Sequence, residues 1–394
     1  MKVALAYSGG LDTTVMIKWI SQKYNAEVVT VTVDVGQDED FKEIEEKAYR
    51  SGAVLHVNID AKKRFVEEFV SRVIKANALY EKSYPLSSAI SRPLIAEEVV
   101  KVALRERCNA VAHGCTGKGN DQLRFDATFS YLAPQLKIIA PVREWNMSRD
   151  EEIEYALEHN LPINPVKSRF SVDENLWGRS IEAAELEDPW TEPPAEAFKL
   201  VKPLELTPDE AEEIVIGFEN GVPVSLNGQR KHLMEIIKEL NVLGGKHGFG
   251  IVDHVEDRVV GLKSREVYEL PAALLLINAH ADLEKMFLGR RMQAFKQYVD
   301  AAWAEMVYSG LWADPLRKAL DAFIDVSQQG VTGEVRVRLF KGSARIVGRR
   351  GEKPLYSIKY ITYARESVFD QKAGEGFSKL WSLETRLSAL REQE

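Results

Sequence analysis

Short apolar runs alternate with amphipathic segments along the first 165 residues, and this alternation restricts the fold more than any other feature. The runs are VALAY at 3–7, VVTVTVDV at 28–35, VLHVNI at 54–59, AVAHG at 110–114 and KIIAPV at 137–142. Runs without a polar face are typical of strands buried on both sides of a parallel sheet. The spacing of apolar residues predicts helices near 12–23, 38–51, 61–79, 90–107 and 148–159. Strand and helix in alternation predict an α/β fold with a doubly wound parallel sheet.

Composition excludes several classes of protein. The chain has 394 residues, enough for two or three domains, and its formal net charge of −8 without a long basic run argues against a general nucleic-acid binder. No window approaches the roughly 20 apolar residues of a membrane span, and no signal-peptide stretch is expected after Lys2. The two cysteines, Cys108 and Cys115, match no common zinc or redox spacing and are expected to be reduced thiols. A cytoplasmic enzyme is therefore expected.

The segment YSGGLDTT at 7–14 joins the first predicted strand to the first predicted helix. Ligands of doubly wound sheets bind beyond the carboxyl ends of the strands. Two glycines allow the backbone to approach a ligand there, and the free N–H groups of a helix start attract phosphate. The segment is neither a Walker A loop nor a GxGxxG fingerprint. A purely structural turn, with Ser8 as N-cap and Asp12 as a partner of the helix dipole, is the alternative interpretation.

Two loops of the sequence resemble those of a known enzyme family. SGGLDT at 8–13 resembles the pyrophosphate loop of ATP-pyrophosphatases, which split ATP into AMP and pyrophosphate. AHGCTGKGNDQLRFD at 112–126 resembles the argininosuccinate synthase family, in which this stretch commonly reads HGATGKGNDQ-R-F. LSSAISRPLIA at 86–96, SVDENLWGRS at 171–180, LEDPW at 186–190 and the glycine-rich stretch at 241–269 fit the same family. The resemblance covers essentially the whole chain.

This resemblance implies a two-step ligation. The ureido oxygen of citrulline attacks the α-phosphorus of ATP and pyrophosphate leaves, and the aspartate amine then displaces AMP to give argininosuccinate. The implied partners are the small-molecule substrates ATP, L-citrulline and L-aspartate, with Mg²⁺ accompanying the ATP. No nucleic acid and no membrane is expected. Asp12 is a carboxylate suited to Mg²⁺, but a dipole or capping role explains it equally well, so we assign no metal ligand and no catalytic residue.

The resemblance also implies which residues bind each substrate. Residues expected to contact ATP are Ala6, Tyr7, Ser8, Gly9, Gly10, Leu11, Asp12, Thr13, Thr14, Val33 and Gly114. Those expected to contact aspartate are Thr116, Asn120 and Asp121, and those expected to contact citrulline are Tyr84, Asn120, Arg124, Ser171, Ser180, Glu256 and Tyr268. Asp121 suits an ammonium group, and Arg124 can form two hydrogen bonds with a carboxylate. Considered one at a time, most of these residues have an alternative interpretation that involves no ligand, as packing aromatics, turn residues or surface groups.

The sequence departs from the family pattern at a few of these places. Where the family has GTS, this chain has Ser87-Ser88-Ala89. The hydroxyl that the family places at residue 89 to contact citrulline is therefore absent. Ser88 and Ser91 are the neighbouring residues that could replace it. The other departures are single replacements of common family residues, namely Cys115 for alanine, Thr14 for serine and Val33 for alanine. We expect Thr14 to keep the hydroxyl and Val33 to change the packing near adenine slightly.

Beyond residue 165 the pattern changes, and three domains are predicted. They are a nucleotide-binding domain at 1–165, an α+β synthetase and multimerisation domain at 166–365, and a C-terminal oligomerisation helix at 366–394. A hairpin is predicted around ENG within 213–228, and a two-stranded ribbon within 333–350 around Lys341-Gly342. Residues 272–329 predict a long helical stretch with buried positions at Leu283, Met286, Phe287, Phe295, Tyr298, Trp303 and Val307.

Two surface features bear on partners. The ribbon at 333–350 is rich in arginine, which fits an anion or RNA contact or, as we prefer, a solvated face of an acidic protein. Leucines at 380, 383, 387 and 390 form an apolar stripe. A terminal helix that stands alone has no surface of its own on which to bury such a stripe. Given the family, this stripe is expected to pack on a neighbouring subunit of a homotetramer.

Two other classes of function stay open. A tRNA-thiolating ATP-pyrophosphatase would rely on catalytic cysteines or an added RNA-binding domain, and the chain offers only Cys108 and Cys115. A non-catalytic, nucleotide-binding regulator could share the same fold. Citrulline-dependent release of pyrophosphate from ATP distinguishes the enzyme from the regulator.

Overall fold

The computed structural model describes residues 1–145, 147–163 and 169–393, which form two compact units, Met1–Glu352 and Lys353–Glu394. The predicted boundary between residues 165 and 166 lies outside the described residues. The division into domains at 1–165, 166–365 and 366–394 therefore stays a prediction.

A five-stranded parallel sheet forms the centre of the N-terminal part, as predicted. Its strands are β1 (Lys2–Ala6), β2 (Glu27–Asp34), β3 (Leu55–Asp60), β4 (Ala110–Ala112) and β5 (Lys137–Ile139). They lie in the order β3-β2-β1-β4-β5, and every pairing is parallel. Val3 and Leu5 of β1 belong to one buried cluster, whereas Ala4 belongs to the cluster on the opposite face. The sheet is thus covered on both sides, which confirms the doubly wound α/β prediction.

Eight helices accompany this sheet within the described residues. They are α1 (Leu11–Tyr24), α2 (Phe41–Arg50), α3 (Lys62–Arg64), α4 (Ser71–Lys75), α5 (Ser87–Arg105), α6 (Asp121–Leu132), α7 (Pro141–Trp145) and α8 (Arg149–Glu158). A π-helical turn, Phe65–Val70, joins α3 to α4, so the helix predicted at 61–79 is one interrupted element. It ends early because Asn77 adopts a left-handed backbone with φ of 43°.

The strand order reverses between β1 and β4. The chain first adds β2 and β3 on one side of β1 and then returns to place β4 on the other side. The loops that follow β1 and β4 consequently leave the same sheet edge side by side. Such a switch point is where ligands of open α/β sheets bind.

Two antiparallel sheets follow in the rest of the first unit. Their strands are β6 (Ser171–Asn175), β7 (Gly178–Glu182), β8 (Glu212–Glu219), β9 (Val222–Leu226), β10 (Gln229–Arg230), β11 (Ile251–Asp257), β12 (Lys263–Glu269), β13 (Gly333–Phe340) and β14 (Ser343–Gly351). One sheet has the order β11-β12-β7-β6 and the other has the order β10-β9-β8-β13-β14. Both predicted hairpins are confirmed, because Asn220-Gly221 and Lys341-Gly342 form two-residue turns with positive φ at each residue.

The predicted helical stretch divides into separate helices. They are α10 (Pro271–Glu284), α11 (Arg290–Tyr308) and α12 (Pro315–Ser327), and a further helix, α9 (Leu233–Lys246), precedes the stretch. Leu283, Trp303 and Val307 are fully buried as predicted, and Met286 and Phe287 are half-buried.

The burial predicted for Phe295 and Tyr298 was wrong. Phe295 is 58% exposed and Tyr298 is 76% exposed. The buried stripe of α11 runs through Val299, Trp303 and Val307, at four-residue spacing. Tyr298 lies beside this stripe, and Phe295 lies one turn before Val299, in the first half of the helix, where the stripe is no longer covered. Phe295 packs edge-on against Phe323 of α12 instead, with ring centroids 5.3 Å apart.

The arginines of the ribbon formed by β13 and β14 are largely neutralised by carboxylates. Arg338 donates to Glu213 at 2.9 Å, and Arg336 lies 3.6 Å from the same carboxyl group. Arg349 pairs with Asp282, and Arg350 pairs with Glu334. This pairing favours the solvated face over an anion-binding surface.

The second unit consists of short helices with exposed apolar residues. They are α13 (Ile358–Ile361), α14 (Gln371–Trp381) and α15 (Leu383–Arg391). The four leucines of the predicted stripe are between 46% and 75% exposed, and no described residue of this unit is buried. Among all helices of the described chain, none has the length and apolarity needed to cross a membrane.

Candidate active site

The loop between β1 and α1 has the geometry of an anion-binding turn. Gly9 has φ of +77°, and a Cβ at this position would lie 2.9 Å from Ile44 Cγ1. Gly10, rather than Ser8, is the N-cap of α1, and no side chain caps the helix. The first N–H groups of α1 therefore remain open to a ligand at the carboxyl edge of the sheet.

Hydroxyl groups surround this loop in two layers. The exposed Ser8 hydroxyl lies 3.2 Å from that of Thr13, and it accepts a long hydrogen bond of 3.4 Å from the Gly10 N–H. The Thr14 hydroxyl is buried and lies 3.2 Å from the hydroxyl of Tyr7. Ser8 and Thr13 are consequently available to a ligand, whereas Thr14 supports the loop from beneath.

Asp12 forms a carboxyl pair with Glu152 at the first turn of α1. Glu152 lies on α8, is only 5% exposed, and is hydrogen-bonded to Asp12. Burial, followed by the neighbouring Asp12 charge, raises the pKa of Glu152 to about 8. Glu152 therefore keeps its proton near neutral pH, which limits the negative charge next to the anion-binding turn.

The loop after β4 lies directly against the start of α1, into which the loop after β1 leads. A Cβ on Gly114 would lie 2.9 Å from Met16 Cε and 3.1 Å from Thr13 Cγ2. Val33 is buried near the carboxyl end of β2, the other neighbour of β1. The residues expected to contact ATP are thus brought together at one edge of the sheet.

Side chains of α6 and α7 fix the shape of the glycine-rich loop. Gln122 Nε2 donates to the carbonyl groups of Gly117 at 2.6 Å and Gly119 at 3.2 Å. Arg143 donates to Gln122 Oε1 at 3.0 Å, and His113 Nε2 lies 2.8 Å from Asp126 Oδ1. The loop is therefore shaped by hydrogen bonds that need no ligand.

The residues expected to contact aspartate lie together at the end of this loop. The Thr116 hydroxyl oxygen accepts from the Lys118 N–H at 3.0 Å, and Asn120 Oδ1 accepts from the Val259 N–H at 2.9 Å. These bonds leave the hydroxyl hydrogen of Thr116 and the NH₂ group of Asn120 as donors for a carboxylate.

Asp121 is held between two guanidinium groups. It accepts from Arg92 Nε at 2.7 Å and from Arg124 NH1 at 2.7 Å. Burial opposes its ionisation, but the two arginines outweigh burial and lower the pKa of Asp121 to about 2. Asp121 is therefore a fixed negative charge, and its remaining lone pairs suit an ammonium group.

The residues expected to contact citrulline come from α6, from the segment before α5 and from the antiparallel sheet β11-β12-β7-β6. Tyr84 stacks on Tyr268 with ring centroids 4.4 Å apart, and the Tyr268 hydroxyl donates to Glu256 at 2.7 Å. Ser180 on β7 pairs in register with Tyr268 on β12. Arg124 and Glu256, both buried, supply one charge of each sign.

Ser171 lies at the edge of the same antiparallel sheet. It is exposed at the start of the edge strand β6, where it pairs in register with Glu182. The substituted position Ala89 is fully buried in α5. The neighbouring Ser88 hydroxyl donates to Asp173 at 2.6 Å, so it is already engaged.

Two residues of this site were not singled out from the sequence. Arg92 links Asp121 to Asp173, with its NH2 group 2.9 Å from the Asp173 carboxylate. The sequence indicated Arg92 only through its position in the stretch SRPLIA, which fits the family. Tyr308 contacts both Arg124 and Glu256, but it lies outside every quoted motif, so no sequence signal indicated it.

The fold and this site define a class of protein. A doubly wound parallel sheet with an anion-binding turn at its switch point is an α/β nucleotide-binding domain, and residues 2–162 match the model described as Arginosuccinate synthase N-terminal HUP domain. Residues 170–388 match the model described as Arginosuccinate synthase C-terminal domain. The chain belongs to the argininosuccinate synthase family, whose members are ligases.

Curated relatives extend this match over the full chain. Argininosuccinate synthase of Pyrococcus furiosus is 54% identical over 388 residues, covering 98% of this chain and 94% of the relative. The enzyme of Pyrobaculum aerophilum is 52% identical, covering 99% of this chain and 98% of the relative. The enzyme of Halalkalibacterium halodurans is 52% identical, covering 99% of this chain and 95% of the relative.

Proposed function

We propose that this chain catalyses the ATP-dependent ligation of L-citrulline and L-aspartate to argininosuccinate, with release of AMP and pyrophosphate, in arginine biosynthesis. The observation that carries the proposal is the contact between two loops at the switch point. One loop is an open helix N-terminus suited to phosphate, and the other leads into paired charges suited to amino acids. Membership of the argininosuccinate synthase family supplies the reaction.

The first step activates the ureido group of citrulline. Its oxygen attacks the α-phosphorus of ATP, the bond to the bridging oxygen of pyrophosphate breaks, and citrullyl-AMP forms. Negative charge develops on the departing pyrophosphate. The N–H groups that open α1 and the hydroxyls of Ser8 and Thr13 are the donors that would stabilise this charge.

The second step forms the new C–N bond. The aspartate amine attacks the activated ureido carbon, and the C–O bond to AMP breaks. Asn120 and Thr116 would hold a carboxylate of aspartate through their free donors. Asp121, kept ionised by Arg92 and Arg124, would attract its ammonium group before the amine loses its proton.

Citrulline would be held by charges of both signs. The guanidinium of Arg124 suits its α-carboxylate and the carboxylate of Glu256 suits its α-ammonium group, with the aromatic rings of Tyr84 and Tyr268 beside them. Ser171 and Ser180 would add hydroxyl donors from the antiparallel sheet. Binding both reactants in one orientation supplies much of the expected rate acceleration.

Mg²⁺ enters this proposal as part of the substrate MgATP. Residues 1–145, 147–163 and 169–393 contain no group of three or more His, Cys, Asp or Glu side chains able to hold a metal ion. Mg²⁺ commonly binds nucleotides through phosphate oxygens and water with few protein ligands. This chain therefore needs to bind the metal mainly through the triphosphate.

The thiols do not favour a sulfur-transfer enzyme. Burial raises the pKa of the Cys108 thiol to about 11 and also raises the pKa of the Cys115 thiol. A nucleophilic cysteine requires the thiolate, which both environments disfavour. Two free thiols also fit the proposed cytoplasmic location.

The decisive experiment measures pyrophosphate release from MgATP with citrulline and aspartate added singly and together. We expect sustained release only with both amino acids, and at most one equivalent of release with citrulline alone. Release at the same rate without either amino acid would refute the assignment. Binding of ATP without any cleavage would instead support a non-catalytic regulator.

We further propose a homotetramer in which the stripe of leucines 380, 383, 387 and 390 packs on a neighbouring subunit. Truncation after Gln371 should lower the oligomer size, because it removes an apolar face that is exposed in the isolated chain. Sedimentation velocity of the full-length and truncated chains measures this directly. Replacing Lys372, an exposed charged residue of α14, by serine is the control and should leave the size unchanged. Equal sedimentation of the full-length and truncated chains would contradict the proposal.

A further inference from the structure

Tyr308, the last residue of α11, contacts three residues of the expected citrulline set. Its hydroxyl donates to Glu256 Oε1 at 2.6 Å, and its main-chain carbonyl accepts from Arg124 NH2 at 2.9 Å and from Arg124 Nε at 3.1 Å. Its ring lies edge-on to Tyr84, with centroids 6.3 Å apart, and stacks on Tyr80. The side chain is fully buried. One residue thus reaches both charged groups of the proposed site.

The contact with Arg124 depends on the backbone of the helix end. The carbonyl of Tyr308 lies in the last turn of α11, where carbonyl groups lack partners within the helix and the helix dipole is negative. Gly310 has φ of +82°, and a Cβ there would lie 3.0 Å from the backbone of Arg124. Glycine therefore allows the end of α11 to approach α6 and hold the guanidinium.

The contact with Glu256 depends on the side chain. Burial, followed by the charge of Glu256, raises the pKa of Tyr308, so the phenol stays protonated and acts as a donor. Glu256 receives a second hydrogen bond from Tyr268 at 2.7 Å, on its other oxygen. The carboxylate is consequently oriented from two sides.

We propose that Tyr308 is a positioning residue that sets the separation between Arg124 and Glu256, and so fits the site to the carboxylate and ammonium groups of one α-amino acid. This inference rests on the proposed function. Removing the hydroxyl should leave Glu256 held by Tyr268 alone and so less firmly oriented, while Arg124 stays in place, because the bond to Arg124 uses the main chain. The two roles of Tyr308 can therefore be separated by one substitution.

The test is Tyr308→Phe, measured with citrulline and with 5-ureidopentanoate, which has the ureido and carboxylate groups but no ammonium. We expect the KM for citrulline to rise about tenfold, as for loss of one hydrogen bond to a charged group, with kcat little changed. The inhibition constant of 5-ureidopentanoate should stay the same. The KM values for ATP and aspartate should also stay the same.

Controls separate positioning from general structural damage. Tyr298→Phe alters an exposed hydroxyl on the same helix and should behave like the wild-type chain. The second control is the double variant Tyr308→Phe/Glu256→Gln. Its ratio of the citrulline KM to the 5-ureidopentanoate inhibition constant should equal that of Glu256→Gln alone, because Tyr308 acts through Glu256. This comparison also holds if Tyr308→Phe lowers the unfolding temperature.

Several outcomes would overturn the inference. Unchanged kinetics in Tyr308→Phe would do so, and so would equal weakening of citrulline and 5-ureidopentanoate binding, which indicates structural damage alone. Additive losses in the double variant would also contradict it. Absence of citrulline-dependent ATP cleavage in the wild-type chain is a different result, because it refutes the proposed function itself.

Discussion

Replacing Arg124 by glutamine should lower kcat/KM for citrulline by about a hundredfold or more, the scale of removing one partner from a buried charge pair. The buried guanidinium is the group proposed to bind the α-carboxylate of citrulline, and glutamine keeps a similar length without the charge. Steady-state kinetics with varied citrulline measure the loss. ATP affinity should be retained, because the residues expected to contact ATP lie on other elements.

The same substitution should also destabilise the fold. Arg124 donates to Asp121 at 2.7 Å and to the carbonyl of Tyr308, so its loss leaves a half-buried carboxylate with Arg92 as the remaining partner and a buried carbonyl without its donor. We expect a loss of about 3 kcal/mol in the free energy of unfolding, measured by denaturant titration. Arg338→Gln on the solvated ribbon is the control, with a cost of less than about 1 kcal/mol and unchanged kinetics. Wild-type citrulline kinetics in Arg124→Gln would rule out the proposed carboxylate contact.

Replacing Gly9 by alanine should lower kcat for citrulline-dependent ATP cleavage by about a hundredfold, the scale of displacing one fixed donor from developing charge. The left-handed backbone at φ of +77° costs an L-residue about 1–2 kcal/mol. The new Cβ would also lie 2.9 Å from Ile44 Cγ1, so the turn must shift. That shift moves the N–H groups proposed to hold the pyrophosphate.

Gly52→Ala is the matched control for this prediction. Gly52 has φ of +102°, but no atom lies within 4 Å of its added Cβ, and it belongs to the turn after α2. We expect Gly52→Ala to lose only the stability that the left-handed backbone costs and to keep its activity, whereas Gly9→Ala should lose more stability and also its activity. Equal activities of the two variants would show that the turn after β1 does not serve the reaction.

The parallel sheet was predictable because its determinants are local. Each strand is a short apolar run, and each helix carries its own apolar spacing, so element type follows from nearby residues. The predicted ends of helices were less accurate where a capping residue determines the first helical position. The helix predicted from residue 38 begins at Phe41, because the Asp40 carboxylate accepts from the N–H groups of Lys42 and Glu43.

The candidate site was predictable only where glycine and hydroxyl residues follow a strand. The turn after β1 and the loop after β4 have that character, and the structure places them in contact. The bond between Arg124 and Tyr308 joins residues 184 positions apart and depends on how α11 packs against α6. No periodicity indicates such a contact, and the position of Ser171 on an edge strand depends on strand register in the same way.

The formation of citrullyl-AMP is the central claim, and an oxygen label tests it most directly. Citrulline carrying ¹⁸O in its ureido group would be converted with MgATP and aspartate, and the AMP and pyrophosphate would be analysed by mass spectrometry. Attack of the ureido oxygen on the α-phosphorus predicts one ¹⁸O atom in the phosphate of each AMP and none in pyrophosphate. Unlabelled AMP formed together with argininosuccinate, or label in pyrophosphate, would contradict the account.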